Sequence, residues 1–146
     1  PTLDGLHVDV AVGEEAPSLP RLRALAAAHP QVALHVDADD MAALMTDADI
    51  AIGAGGSSAW ERCCLGLPSL VVILAENQRE NTQALVEQGA SLAIDAATGD
   101  LSAGLLSGLA RLRKDAVLRR GLSDASAALC DGDGARRVAE RLIGLI

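Results

Sequence analysis

Aromatic side chains are almost missing: the chain has one tryptophan and neither phenylalanine nor tyrosine, although half of its residues are hydrophobic. The core must therefore be assembled from alanine, leucine, valine and isoleucine, a set that favours close packing of helices on a sheet. Basic residues are scarce too. Twelve lysines and arginines against twenty aspartates and glutamates leave a formal charge of -8, which excludes a general nucleic-acid binder, because such affinity rests on many cations neutralising phosphates. One anionic nucleotide remains compatible, since backbone amides can hold it locally. The three cysteines, Cys63, Cys64 and Cys130, follow no CxxC or Cys/His spacing. They read as buried or half-buried free thiols in a reducing compartment rather than as metal ligands or a disulfide. There is no signal peptide and no run of about 18 uninterrupted apolar residues, so the expectation is a soluble, cytoplasmic chain without a membrane span. At 146 residues it amounts to a single domain with a real core. It begins at Pro1 rather than methionine, from which a fragment or a processed chain is expected.

What is present is a regular alternation of short apolar runs and helical patterns. Leu6 to Val12 alternates and is rich in β-branched residues, which predicts a strand. Ser18 and Pro20 then start a helix running to about His29, and Pro30 ends it. A second strand is predicted at Val32 to Val36, an acidic turn at Asp37 to Asp40, a helix from Met41 to about Thr46, and a third strand at Asp49 to Ile52. Ser69 to Leu74 is apolar without alternation, the pattern of a strand covered on both faces in a parallel sheet. A helix over Arg79 to Gln88 closed by Gly89, a last strand at Ser91 to Ile94 and helices from Leu101 onward, broken near Asp115 and at Asp131 to Gly134, complete the chain. This rhythm predicts an α/β fold of right-handed βαβ units, with a Rossmann-like parallel sheet flanked by helices.

The segment carrying the most chemical information is Ile50-Ala51-Ile52-Gly53-Ala54-Gly55-Gly56-Ser57-Ser58-Ala59-Trp60-Glu61. It reads as strand, tight glycine turn and helix. Glycines permit close approach of a ligand to the backbone, and free amides at a helix start favour a phosphate. The candidate binding residues are Gly55, Gly56, Ser57 and Ser58. Such a turn also serves packing alone in many α/β proteins, and it matches neither GxGxxG nor the P-loop. Glu61 lies three residues after Ser58, so its carboxylate either takes part in binding or closes a capping box on the Ser58 amide. Asn77 and Gln78 follow the next strand, where they either meet sugar hydroxyls or start the helix through an Asx turn with Asn77 as cap. Loops leaving the carboxyl ends of successive strands share one crevice in open sheets of this kind, so both loops, with Asp37 to Asp40 on the same rim, are expected together.

The run from Asp39 to Gln78, above all Gly53-Ala54-Gly55-Gly56-Ser57 followed by Trp60-Glu61-Arg62-Cys63-Cys64-Leu65-Gly66-Leu67-Pro68, resembles the C-terminal half of GT-B nucleotide-sugar enzymes. The nearest resemblance is to the pseudaminic acid pathway hydrolases that release UDP from a UDP-linked diacetamido-trideoxy-altrose, and more distantly to MurG-like glycosyltransferases. The resemblance implies a UDP-sugar partner, with Glu61 on the ribose hydroxyls, Ser58 against the diphosphate and the residues after the fourth strand near the donor sugar. It implies a missing N-terminal domain that carries the catalytic base, no cofactor, and hydrolysis in nonulosonate biosynthesis, with a transferase donor domain or a non-catalytic nucleotide-binding module as alternatives.

No catalytic residue is assigned within the chain itself. His7, His29 and His35 are scattered, and no metal site is expected, because Asp131-Gly132-Asp133-Gly134 lacks the oxygen-ligand series of a calcium loop and reads as a turn between helices. Val138, Leu142 and Leu145 form an apolar stripe whose default is core packing. The resembled domains also carry a strand ahead of the one at Leu6 to Val12. Its absence predicts either closure, with Leu6 to Val12 beside Asp49 to Ile52, or pairing with another chain in a homo-oligomer.

Overall fold

In the computed structural model, which describes residues 5–144, the β-branched and apolar runs form five strands, each parallel to its neighbours in its own sheet. β1 (Val8–Val12), α1 (Leu19–Ala28) and β2 (Val32–Val36) come first, followed by α2 (Met41–Asp47). The chain divides into two compact units, the first ending at Leu44 and the second beginning at Met45. In the first unit β1 pairs with β2 in parallel from Val8↔Val32 to Val12↔Val36. Alternation places Val8, Val10 and Val12 on the half-buried face and leaves Asp9 and Ala11 exposed. Leu19 and Val32 are the buried hydrophobics of this unit among the described residues. Asp37 adopts a left-handed φ of 46°, and its carboxylate accepts from the Glu14 amide at 3.0 Å. Asp40 Oδ1 accepts from the Ala43 amide at 2.8 Å, which caps α2. The acidic turn thus spends two of its carboxylates on its own backbone.

The second unit holds β3 (Ala51–Ala54), α3 (Ser58–Cys64), β4 (Ser69–Ile73), a 3-10 turn at Glu76–Gln78, α4 (Arg79–Glu87) and β5 (Leu92–Asp95). Three helices then follow, α5 (Leu101–Lys114), α6 (Ala116–Leu129) and α7 (Gly134–Ile143). The strands run parallel in the order β3-β4-β5, with β4 central and buried along its whole length, as its unbroken apolar run predicts. Leu70, Leu112 and Leu122 form one core cluster, and Ala59, Cys63, Leu85 and Ala90 another. The shortage of aromatics is answered by close approach: a Cβ on Gly108 of α5 would lie 2.7 Å from Leu70 Cδ2, and one on Gly104 would lie 3.1 Å from Ile94 Cγ2. Asp100 and Asp115 cap α5 and α6, accepting from the Ser102 amide at 2.9 Å and the Leu118 amide at 2.8 Å.

Several expectations are corrected. β3 begins and ends two residues later than expected, so Gly53 and Ala54 belong to the ladder and not to the turn. Among the described residues the first strand does not pair with the third: β1 pairs with β2, and β3 with β4. Within each sheet the hydrogen-bonded neighbours are consecutive in the chain and joined by a short crossover. Val138 and Leu142 do not enter a core, since both are 60% exposed, and Leu145 lies outside the described residues. Cys64 is exposed rather than buried, while Cys63 is buried and Cys130 half-buried, all three as free thiols. Cys64 Sγ lies 2.8 Å from Cys130 Sγ, joining α3 to the end of α6. No helix among the described residues is long and apolar enough to cross a membrane.

Candidate functional site

The ladder between β3 and β4 extends one residue past the strand, where the Gly55 amide donates to Val72 O at 3.2 Å. There the chain leaves the sheet through Gly56 and Ser57 and enters α3, whose first turn is closed by Ala59 N to Gly56 O and Trp60 N to Ser57 O, both 3.0 Å. Gly55 is buried, and a Cβ on it would collide with the Thr82 hydroxyl and sit 3.3 Å from Gln78 Cβ and Val71 Cγ1. Gly55 is thus fixed by close approach to α4. Gly56 differs: a Cβ there would meet nothing within 4 Å, and its φ is not positive. Its own fold therefore makes no demand for glycine at this position, and the space above it is open.

Spacing along α3 divides the helix. Ala59, Arg62 and Cys63 turn inward, at the i, i+3 and i+4 positions of one face, while Ser57, Trp60, Glu61 and Cys64 are exposed. The capping reading of Glu61 is not realised. Neither Ser57 nor Glu61 makes a side-chain cap bond, and Ser57 is already in the right-handed helical region. The Glu61 carboxylate has no hydrogen bond or ion pair among the described residues. Ser58 is half-buried and its Oγ accepts from Arg62 Nη1 at 3.2 Å, which leaves its hydroxyl proton available. The other arm of the guanidinium, Nη2, donates to Ala54 O at 2.9 Å. Burial pushes the Arg62 pKa down, against smaller upward effects of Cys63 and Glu61. Sequence reasoning missed Arg62, because an arginine in a helix reads as a solvated charge.

Of the two amides after β4, Gln78 is the one committed to the backbone: its Oε1 accepts from the Leu74 amide at 3.0 Å. Asn77 is exposed and makes no cap bond, as the turn begins at Ala75 without one. The Asx reading of Asn77 is therefore not formed. Contact between Gln78 and Gly55 brings both strand exits to one rim of the second unit, as their position at the carboxyl ends of β3 and β4 requires. Arg79 anchors the second exit, donating to Asp95 at 2.5 Å and to Glu76 at 3.1 Å. Asp95 lies below the usual carboxylate range, chiefly through Arg79 and next through the Ala97 amide.

Two of the three histidines share one carboxylate. His35 Nε2 is 2.6 Å and His7 Nε2 3.4 Å from Asp9 Oδ1, a surface cluster in the first unit. Arg137 holds both carboxylate oxygens of Asp131, at 2.7 and 3.0 Å, so this carboxylate is used in the turn before α7. Among the described residues no group of three or more His, Cys, Asp or Glu side chains is placed to hold a metal ion. Two open concavities of about 440 and 520 Å³ lie on α7 and α6 and share no residue with the glycine turn. Each is lined from a single helix and is open.

Comparison with known proteins bears on the family and the fold. The chain is 32% identical over 140 residues to the spore coat polysaccharide biosynthesis protein SpsG of Bacillus subtilis (strain 168), covering 94% of this chain and 41% of SpsG. Among solved structures it is similar to the glycotransferase of kitacinnamycin (21% identity, TM-score 0.62, 97% of this chain and 44% of that one). It is also similar to the spinosyn forosaminyltransferase SpnP (20% identity, TM-score 0.57, 99% and 44%). A third likeness is to the Streptomyces sp. SF2575 glycosyltransferase SsfS6 complexed with thymidine diphosphate (19% identity, TM-score 0.54, 92% and 41%). The chain spans about two fifths of the length of these proteins. Residues 8–135 match a single family over most of the chain, and the protein belongs to the glycosyltransferase family 28 C-terminal domain family.

Proposed function

We infer that this chain is the donor-binding part of a glycosyltransferase-type enzyme and holds the nucleoside diphosphate of an activated sugar, UDP in the first instance. The observation that carries the reading is the pairing of an open glycine turn with an unclaimed carboxylate. Gly56 has no steric neighbour within 4 Å, and Glu61 stands exposed one turn into α3 without a partner among the described residues. In this reading the diphosphate lies over Gly55, Gly56, Ser57 and Ser58, and amides of the turn stabilise charge as it leaves. Glu61 accepts from the ribose hydroxyls. Asn77, whose amide is uncommitted, meets the sugar in preference to Gln78, whose oxygen already serves Leu74.

The hydrolase expectation gives way to the transferase alternative. It rests on the likeness of the Gly53 to Pro68 run, with WERCC as its distinctive segment, whereas the matched family and the similar solved structures are named as glycosyltransferases. An acceptor site and a general base belong to the rest of the parent enzyme, since catalysis needs a base in hydrogen-bond reach.

Calorimetry tests the reading. UDP is expected to bind more tightly than ADP or free sugar, and Glu61→Ala to weaken UDP by about 1 to 3 kcal/mol through loss of charge-assisted bonds. The variant should leave 2',3'-dideoxy-UDP unaffected. If Glu61→Ala keeps the full preference for the ribose hydroxyls, the assignment of Glu61 fails.

A further inference from the structure

Arg62 is an uncommon object: an arginine whose residue is only 6% exposed and that has no carboxylate within ion-pair distance among the described residues. Buried charges are normally paired, because the desolvation penalty is otherwise uncompensated. Here the two bonds to the guanidinium come from neutral oxygens, Ala54 O and Ser58 Oγ, and Nε has no acceptor at all. The desolvation is visible in the lowered pKa. Gly53 makes room for this arrangement, since a Cβ there would lie 2.7 Å from Nη1 and 3.1 Å from Cζ. The same group therefore binds the last residue of β3 and the first residue of α3, on either side of the glycine turn.

We propose that Arg62 is the positioning residue of the anion site: its unbalanced positive charge, set beneath the Gly55-Gly56-Ser57 turn, is completed by the diphosphate of the bound nucleotide. This rests on the donor-binding reading and adds the source of its charge selectivity. Arg62 acts without touching the ligand. Its hydrogen bond uses Ser58 Oγ as an acceptor and leaves the hydroxyl proton for donation, and its field favours a dianion over a neutral nucleoside. A net charge of -8 would otherwise repel such a ligand at long range, so a local cation is what the site requires.

The test compares UDP with uridine in the full chain, because a merely structural residue would alter both alike. Wild type is expected to prefer UDP strongly. Arg62→Gln should cut UDP affinity about tenfold or more, the order for one unit charge acting across a part-buried site, and leave uridine within about twofold, while Arg62→Lys keeps most of the preference. Equal loss for both ligands, or no loss for UDP, overturns the proposal while leaving the donor reading intact. A wild type that binds neither UDP nor inorganic pyrophosphate overturns the donor reading and the proposal together. If Arg62→Gln does not fold, Ser58→Asp decides, since it places a carboxylate where Ser58 Oγ now meets Nη1. An unbalanced Arg62 should make Ser58→Asp raise the melting temperature by about 3 °C or more beyond the exposed control Ser57→Asp, and an equal or smaller rise overturns the proposal.

Discussion

β1 and β4 are both five-residue parallel strands, yet they live in different surroundings. Among the described residues β1 has a single partner strand and alternates half-buried and exposed positions, whereas β4 has a partner on each side and no exposed residue. The contrast follows from sequence: Val-Asp-Val-Ala-Val has period two, and Ser-Leu-Val-Val-Ile has none. It teaches where rigidity resides. The glycine turn and the Ala75–Gln78 exit are both tied to β4, through Val72 O and the Leu74 amide, so the candidate site is mounted on the best-packed strand.

The comparison can be broken at its strongest point first. Leu70→Ala removes a side chain 1% exposed, packed with Leu112 and Leu122, and should cost about 2 to 5 kcal/mol. Val10→Ala, on the half-buried face of β1, should cost about 1 kcal/mol or less. Urea denaturation of both variants measures the gap, and equal costs would mean that the two strands are equally embedded. Next comes Gly55→Ala, whose new methyl meets the Thr82 hydroxyl. Overpacking of this kind costs about 1 to 3 kcal/mol, and we expect Thr82→Ala in the same chain to restore much of it. A double-mutant cycle with no coupling would detach the turn from α4.

The smallest effect is expected at the turn into α7. Asp131 is lowered to about 2, first by its bonds to Arg137 and then by the Asp133 amide. A depressed carboxylate contributes stability that is full above its unfolded value and lost as pH falls through the folded one. The tether should therefore loosen as pH falls from about 4 toward about 2, seen as lost amide protection at the start of α7 while β4 stays protected. Asp131→Asn should show that lower protection already at neutral pH and little further change.

Strand existence and parallel direction were legible because the apolar runs of Val32–Val36 and Ser69–Ile73 are unambiguous. The end of β3 was not. Gly53 carries no strand preference, and it stays in the ladder because the Arg62 guanidinium occupies the place of its side chain, a contact nine residues away in sequence. The serines at 57 and 58 spelled a cap, but the chain is already helical at Ser57 and the hydroxyl of Ser58 is taken by Arg62. The choice between Asn77 and Gln78 likewise depended on the Leu74 amide, which no local pattern announces. Tertiary partners decided each of these cases.

The thiol contact at the end of α3 has a practical use. Cys64 is exposed and sits three residues beyond Glu61 on the same helix, while Cys63 is buried. A maleimide dye would therefore react at Cys64 before Cys63, and its emission would follow whatever fills the space beside Glu61. The hydrogen bond to Cys130 is the chief cause of the raised Cys64 pKa, which slows the reaction near neutrality and favours labelling under mildly alkaline conditions. Removing Cys130 by substitution with alanine would speed labelling and leave one accessible attachment point. The protein thus carries the position for an optical titration of its own ligand.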